Sequence, residues 1–151
     1  MVRTILQTAS VLDAVRCLRD GHASALAVTR HDGTLVGLIS EQDILKRVFL
    51  RGRAAASTRV EDAMTPDVEC VTHDEASRNI RQVYRRMAEL GVKHMPVVGD
   101  LSSRRATDCL DMASVSRWLH GKDESNVRER FSPGFCRFAR VFADRKPFYI
   151  V

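Results

Sequence analysis

The chain has 151 residues, 44% of them hydrophobic and 28% charged, with a formal net charge of +5 at pH 7. That is the balance of a folded domain, long enough for one core or two small intertwined ones, and no apolar run approaches the roughly 20 residues that cross a bilayer. The basic excess permits an anionic partner without requiring one, because acidic and basic residues are interleaved over most of the chain.

In chain order, Thr4, Ile5 and Leu6 read as a short strand, and Val11, Ala14, Val15 and Leu18 then recur at helical spacing until Gly21. Two apolar strands, 25–29 and 34–39, flank Arg30-His31-Asp32-Gly33, whose Asp-Gly marks a hairpin. A helix follows from Glu41 to about Leu50, with Ile44, Leu45 and Val48 on one face. The polar, small-residue stretch 51–59 is a connection, and the same order of elements returns beyond it. Residues 68–71 alternate as a strand, and Ile80, Val83, Tyr84, Met87 and Leu90 form a helical stripe ending at Gly91. Strand 95–98, a turn region 99–105, strand 106–111 and a helix with Val115, Trp118 and Leu119 on one face complete the second half.

The repetition is residue by residue. An offset of 69 lays Val11 on Ile80, Ala14 on Val83, Leu18 on Met87 and Val28 on Val97. After the hairpin the offset becomes 71, laying Gly37 on Asp108, Ile39 on Leu110 and Ile44 on Val115, as a hairpin longer by two residues would require. The fold class expected is α/β, built from two β-α-β-β-α units spanning 1–56 and 57–120, with an extension at 121–151.

Chemistry concentrates where the first unit's last strand meets its helix, at Gly37-Leu38-Ile39-Ser40-Glu41-Gln42-Asp43. A helix start presents unpaired N–H groups and the positive end of a dipole, which suits an anion, and the Asp43 carboxylate can accept from a pair of sugar hydroxyls. Ser-x-x-Asp before an apolar run is equally a capping box, with Ser40 and Asp43 bonding each other's backbone N–H groups. Both readings stand on these residues alone. Four cysteines, Cys17, Cys70, Cys109 and Cys136, show no CxxC spacing, and five histidines form no HxxxH or HExxH pair, so no metal is expected to be required. Each cysteine lies in or beside an apolar stretch and is expected as a small buried hydrophobe in a reducing compartment. Residues 1–6 show no secretory pattern, so an intracellular, cytoplasmic setting is expected.

Taken together, Gly37-Leu38-Ile39-Ser40-x-x-Asp43, Gly91-Val92-Lys93-His94-Met95-Pro96-Val97-Val98 and the intervening Val60-Glu61-Asp62-Ala63-Met64-Thr65-Pro66 resemble the tandem cystathionine-β-synthase (CBS) domain, or Bateman module, over roughly residues 3 to 120. The resemblance implies two CBS repeats packed sheet to sheet about a pseudo-twofold axis, with two clefts between them. It further implies a non-enzymatic regulatory module that binds an adenine nucleotide or adenosyl ligand and signals through a homodimer to a regulated protein partner. The ligands implied are AMP, ADP or ATP, with NAD and S-adenosylmethionine as further candidates. By the same resemblance Asp43 takes the ribose diol, Ser40 contacts ribose or phosphate, and Lys93 and His94 meet phosphate. Thr4, Ile5, Leu6, Ala25, Leu26 and Ala27 supply backbone walls for the base, and Met95 and Pro96 continue the His-x-Pro stretch.

The second repeat departs from the motif. Asp108 stands at the Gly position, Asp111 at the hydroxyl position and Ser114 at the acid position, so the second cleft is not expected to bind a nucleotide in the usual way. The first repeat carries Ser24-Ala25 where the second has Lys93-His94, so its phosphate partners must come from elsewhere in the fold, with Lys93 and His94 across the cleft as candidates. An alternative reading is an interaction scaffold with vestigial clefts. In the extension, Phe135, Phe138, Ala139 and Phe142 fall at helical spacing, with Arg137, Arg140 and Arg145 on other faces. This stripe could dock on the module, pair with a second subunit or lie on an anionic membrane surface. Nucleic acid is not expected as a partner, since no binding fold for it is legible beyond charge. No nucleophile, base and orienting group can be placed together, so no catalysis is expected.

Overall fold

The structure, a computed structural model, describes residues 4–120. The stripe expected at 121–151, and Cys136 with it, lies outside the described residues. Strand β1 (Thr4–Leu6) leads into helix α1 (Val11–Asp20), then β2 (Ala25–Thr29), β3 (Leu35–Ser40) and helix α2 (Glu41–Arg47). After a connection come β4 (Thr65–Pro66), β5 (Val71–Thr72), α3 (His73–Arg78), α4 (Ile80–Glu89), β6 (His94–Val98), β7 (Ala106–Asp111) and α5 (Met112–His120).

The first sheet has the order β1-β2-β3-β4, and the second β5-β6-β7. In each, the first pair is parallel and the next antiparallel. The repeat offset holds in the hydrogen-bond register. Ala25 pairs with Ser40 and Val28 with Gly37 in one sheet, while His94 pairs with Asp111 and Val97 with Asp108 in the other, and both sheets slip at the same place, after Val28 and after Val97.

Each repeat has its own apolar core. Val11, Ala14 and Leu18 of α1 meet Leu26, Val28 and Ile39 of the sheet and Ile44 and Val48 from α2 and the residue after it. The stripe Ile80, Val83, Met87 packs on Met95, Val97, Leu110 and Val115. Side chains repeating every three to four residues along a helix share one face, which is why the sequence periodicity located these elements. A third, smaller cluster of Ala27, Leu35 and Val98, with Val68, Cys70 and Ala106 against it, joins the repeats. There the hairpin tips cross at a bridge between Thr34 and Arg105, with Leu35 N–H donating to the Arg104 carbonyl (2.9 Å) and Ala106 N–H to the Gly33 carbonyl (3.2 Å). An offset of 71 exchanges the members of these two bonds, so the pseudo-twofold axis runs through that bridge.

Several expectations are corrected. The helix expected to reach about Leu50 ends at Arg47, and a short 3-10 turn, Phe49–Arg51, follows. Leu45 is 53% exposed rather than on the buried face with Ile44 and Val48. The strand expected at 68–71 is reduced to Val71–Thr72, because residues 68–70 run along the boundary between the repeats. Helix α3 was not legible: Thr72 caps it through a box with Glu75, and three extra residues fit between β5 and α4 relative to β1 and α1. Leu90, expected on the buried stripe, is 47% exposed, one step past the end of α4. Cys17 is exposed on α1, and Cys70 and Cys109 are only partly buried, so none is the small core residue expected.

The connection belongs to the first repeat more closely than a boundary after residue 56 implies. Val60 and Ala63 are buried in the first core. The Thr58 and Ala55 carbonyls accept the Val11 and Leu12 N–H groups at 2.8 and 3.0 Å, filling donors that a helix start leaves open. β4 then closes the first sheet, pairing Leu38 with Thr65 and Gly37 with Pro66. A Cβ on Gly37 would lie 2.6 Å from the Thr65 carbonyl oxygen, so only glycine admits β4 at this distance. No fourth strand flanks β7 among the described residues, and Asp108 at the matching position is exposed. Accordingly, Gly37→Ala should lower stability by about 1–3 kcal/mol, the usual cost of overpacking, while Asp108→Ala should stay within about 0.5 kcal/mol, as surface changes do. Urea unfolding followed by circular dichroism measures both, and equal effects would refute the close-approach account.

Candidate functional site

Between the repeats lies a cavity of about 300 Å³. Leu38 and Ser40 come from the end of β3, and Thr65 to Glu69 form a wall where β4 passes into the connection. Leu90, Val92, Lys93 and His94 close it from the junction of α4 and β6. Alternate residues of a strand share a face, so Leu38 and Ser40 reach the cavity together while Ile39 turns into the first core.

Ser40 and Asp43 form the capping box. The Ser40 hydroxyl accepts from the Asp43 N–H (3.2 Å), and Asp43 Oδ2 accepts from the Ser40 N–H (3.0 Å) and hydroxyl (2.5 Å). The other oxygen, Oδ1, accepts from the Thr65 hydroxyl (3.1 Å) and faces the Arg47 guanidinium at 3.6 Å. Arg47 is itself committed, donating to the Ala63 and Met64 carbonyls and to the Thr65 hydroxyl. Thr65, not Asp43, therefore lines the cavity, and Asp43 stands directly behind it. The helix start is also largely spent: Glu41 N–H donates to the Ser24 carbonyl and Asp43 N–H to Ser40.

His94 opens β6 and is half-buried, with Nε2 2.7 Å from the Ser24 hydroxyl of the first repeat. Burial pushes its imidazole below the usual range. Asp111, Glu41 and Asp43 pull it upward and Lys93 pushes it further down, with burial prevailing. Lys93 is exposed, and its carbonyl accepts the Met112 N–H (2.8 Å) as the Ser24 carbonyl accepts that of Glu41. In the second repeat, Asp111 accepts from the Ser114 hydroxyl and from the Ala113 and Ser114 N–H groups, both at 3.1 Å. Burial alone would raise the Asp111 carboxyl, but these donors hold it below the usual range.

Of the residues nominated from sequence, Ser40, Lys93 and His94 meet at the cavity, with Asp43 behind Thr65. Thr4, Ile5 and Leu6 form β1, and Ala25, Leu26 and Ala27 lie in β2; none lines this cavity, and Ala27 belongs to the cluster joining the repeats. Met95 is buried in the second core, and Pro96 is buried in β6 opposite Cys109. Sequence reasoning missed the wall formed by Thr65, Pro66, Asp67, Val68 and Glu69. Its signal was the Met64-Thr65-Pro66 segment, recognised as an introduction to the second repeat rather than as part of a site.

His94 also dictates a pH dependence. Its folded-state value lies below the unfolded 6.5, so the unfolded chain binds the proton more readily and stability must rise with pH. The contribution is complete above 6.5 and is lost as pH falls from there through the lower folded-state value. Comparing urea midpoints of the wild type and His94→Gln between about pH 7.5 and about pH 5.5 isolates it, since carboxylate titrations cancel in the difference. The wild type should lose more stability than the variant over that interval, and parallel curves would contradict the assignment.

Three comparisons with known proteins bear on this geometry. Residues 2–50 match the family model of the CBS domain. The Arabidopsis thaliana protein "CBS domain-containing protein CBSX3, mitochondrial" is 30% identical over 93 residues, covering 60% of this chain and 45% of that protein, so the chain spans less than half the length of that relative. Among solved structures, a CBS-domain containing protein from Agrobacterium tumefaciens superposes with a TM-score of 0.66 at 26% identity, over 79% of this chain and 90% of that one. A CBS domain pair in complex with 5′-methylthioadenosine and S-adenosyl-L-methionine superposes with a TM-score of 0.70 at 24% identity, over 82% of this chain and 91% of that one.

Proposed function

Because this chain is a CBS domain pair, we propose that it is a regulatory, non-catalytic module that takes an adenosine-containing ligand into the cavity between its repeats. Occupancy then biases a homodimer read by a protein partner. The observation that carries the reading is the cavity itself: about 300 Å³, with an apolar frame of Leu38, Pro66, Val68, Leu90 and Val92 and the polar groups of Ser40, Thr65, Lys93 and His94 converging on it. That volume sits at the lower end of the range for small-molecule pockets, which favours a ligand with a single nucleoside unit over the dinucleotide NAD. The ligand complex of the structural neighbour supports the same class. A ribose diol reaches Asp43 by replacing the Thr65 hydroxyl at Oδ1, so ligand entry loosens a contact that holds β4 in place. Signalling follows to the extent that the ligand binds one arrangement more tightly than another. No helix among the described residues is long and apolar enough to cross a membrane. We place the module inside the cell, where the name of the curated relative sets the mitochondrion beside the cytoplasm.

A second reading, an interaction scaffold, is favoured by one observation: Leu45, Phe49 and Leu50 are 53%, 60% and 74% exposed on α2 and the turn after it. Isothermal titration of protein freed of copurified ligand, with AMP, ADP, ATP, NAD and S-adenosylmethionine in turn, separates the two. We expect saturable heat with at least one compound. Asp43→Asn, which keeps an acceptor oxygen for the cap, should weaken binding at least tenfold, equivalent to about 1.4 kcal/mol, and Ser114→Ala should leave it unchanged. Heat with none of the five, nor with 5′-methylthioadenosine, would remove the ligand reading and leave the scaffold.

A further inference from the structure

Resting on the adenosyl reading above, we infer that the cavity selects a nucleoside without phosphate, neutral or cationic at its 5′ end, over AMP, ADP and ATP. The argument is one of charge. Among the described residues, Lys93 is the only lysine or arginine lining the cavity. The Arg47 guanidinium, which could have reached a phosphate at Thr65, is committed to two carbonyls, a hydroxyl and Asp43. His94 is kept neutral by burial and has Nε2 engaged by Ser24.

The negative groups are more numerous. Asp67 and Glu69 belong to the wall; Glu69 is offset by Arg86, whereas Asp67 makes no ion pair among the described residues. Asp111, Glu41 and Asp43 all lie close enough to His94 to raise its proton affinity, so their field extends over the same end of the cavity. With Asp43 paired to Arg47 and Glu69 to Arg86, a phosphate there would meet the carboxylates of Asp67, Glu41 and Asp111 against the one exposed ammonium of Lys93 among the described residues, and like charges repel it. Neither the helix nor the other repeat compensates. The first-turn N–H groups of Glu41 and Asp43 are already bonded, and the positions matching Lys93 and His94 across the axis are Ser24 and Ala25. A sulfonium or thioether at the 5′ carbon incurs no such repulsion.

Calorimetric titration of the full chain with 5′-methylthioadenosine, S-adenosylmethionine, AMP and ATP tests this. AMP and ATP should bind at least tenfold more weakly than 5′-methylthioadenosine, and the gap should narrow as salt screens the carboxylates. Asp67→Asn, suited to the left-handed backbone found there (φ 49°), should narrow the ratio of 5′-methylthioadenosine to AMP affinity severalfold. Tighter binding of AMP or ATP than of 5′-methylthioadenosine would overturn this inference while leaving the adenosyl reading intact. No binding by any of the four would overturn both.

Discussion

The two backbone bonds exchanged at the hairpin tips, Leu35 to Arg104 and Ala106 to Gly33, hold the repeats in register, and the cavity is a consequence of that register. With the axis fixed at the Thr34–Arg105 bridge, the end of β3 in one repeat faces the start of β6 in the other. Arg104 shows what this crossing demands. It occupies the position that Gly33 holds in the first hairpin and adopts the same left-handed backbone, φ 48° against 84°, a conformation costing a non-glycine residue of order 1 kcal/mol. Its guanidinium then reaches back to the Val68 carbonyl at 3.2 Å, with Nε buried and without a partner among the described residues. Strain and an unmet donor are tolerated at the residue that pins one wall of the cavity to the axis.

That wall is also the covalent link between the repeats. Residues 54–66 are laced onto the first repeat through α1 and β4, and the chain crosses to the second repeat only after Pro66. A ligand in the cavity consequently touches both repeats and the segment joining them. Asp43, Arg47 and Thr65 fasten the link to the first repeat, since the helix that Asp43 caps also carries the arginine that holds the carbonyls of the link. Any change at the Asp43–Thr65 hydrogen bond therefore acts on the link directly, without a relay through the core.

Most of the fold was legible because its signals are local. Asp32-Gly33 marked a turn that the structure closes with Gly33 at φ 84°, and the stripes on α1 and α4 are buried as their spacing requires. The failures have a common cause in long-range pairing. Leu45 and Leu90 continue an apolar period beyond the point where neighbouring elements still cover them, and residues 68–70 have strand-like alternation with no partner to make a ladder. α3 is too short, at six residues, to show a period. Within the site, Ser40, Lys93 and His94 could be chosen by residue type. Thr65 could not, because its place follows from β4 pairing with β3, a contact between segments more than 20 residues apart in sequence.

The exchange of Ser40 and Asp43 for Asp111 and Ser114 bears on how such a motif should be interpreted. In both repeats a carboxylate oxygen accepts from the hydroxyl and the backbone N–H of the residue three positions away; only the order of acid and hydroxyl is inverted. The helix start is satisfied either way, so capping alone would permit both orders. The orders differ in what remains. Inverting them leaves Asp111 at the strand end, opposite His94 in the ladder, and moves the hydroxyl into the helix. In the first repeat the strand end keeps the neutral Ser40, and the acid is set back behind Thr65. Of the two orders, only the first sets an uncharged hydroxyl at the strand end with a carboxylate in reserve behind Thr65, and in that respect the two repeats of the pseudo-symmetric pair are not equivalent.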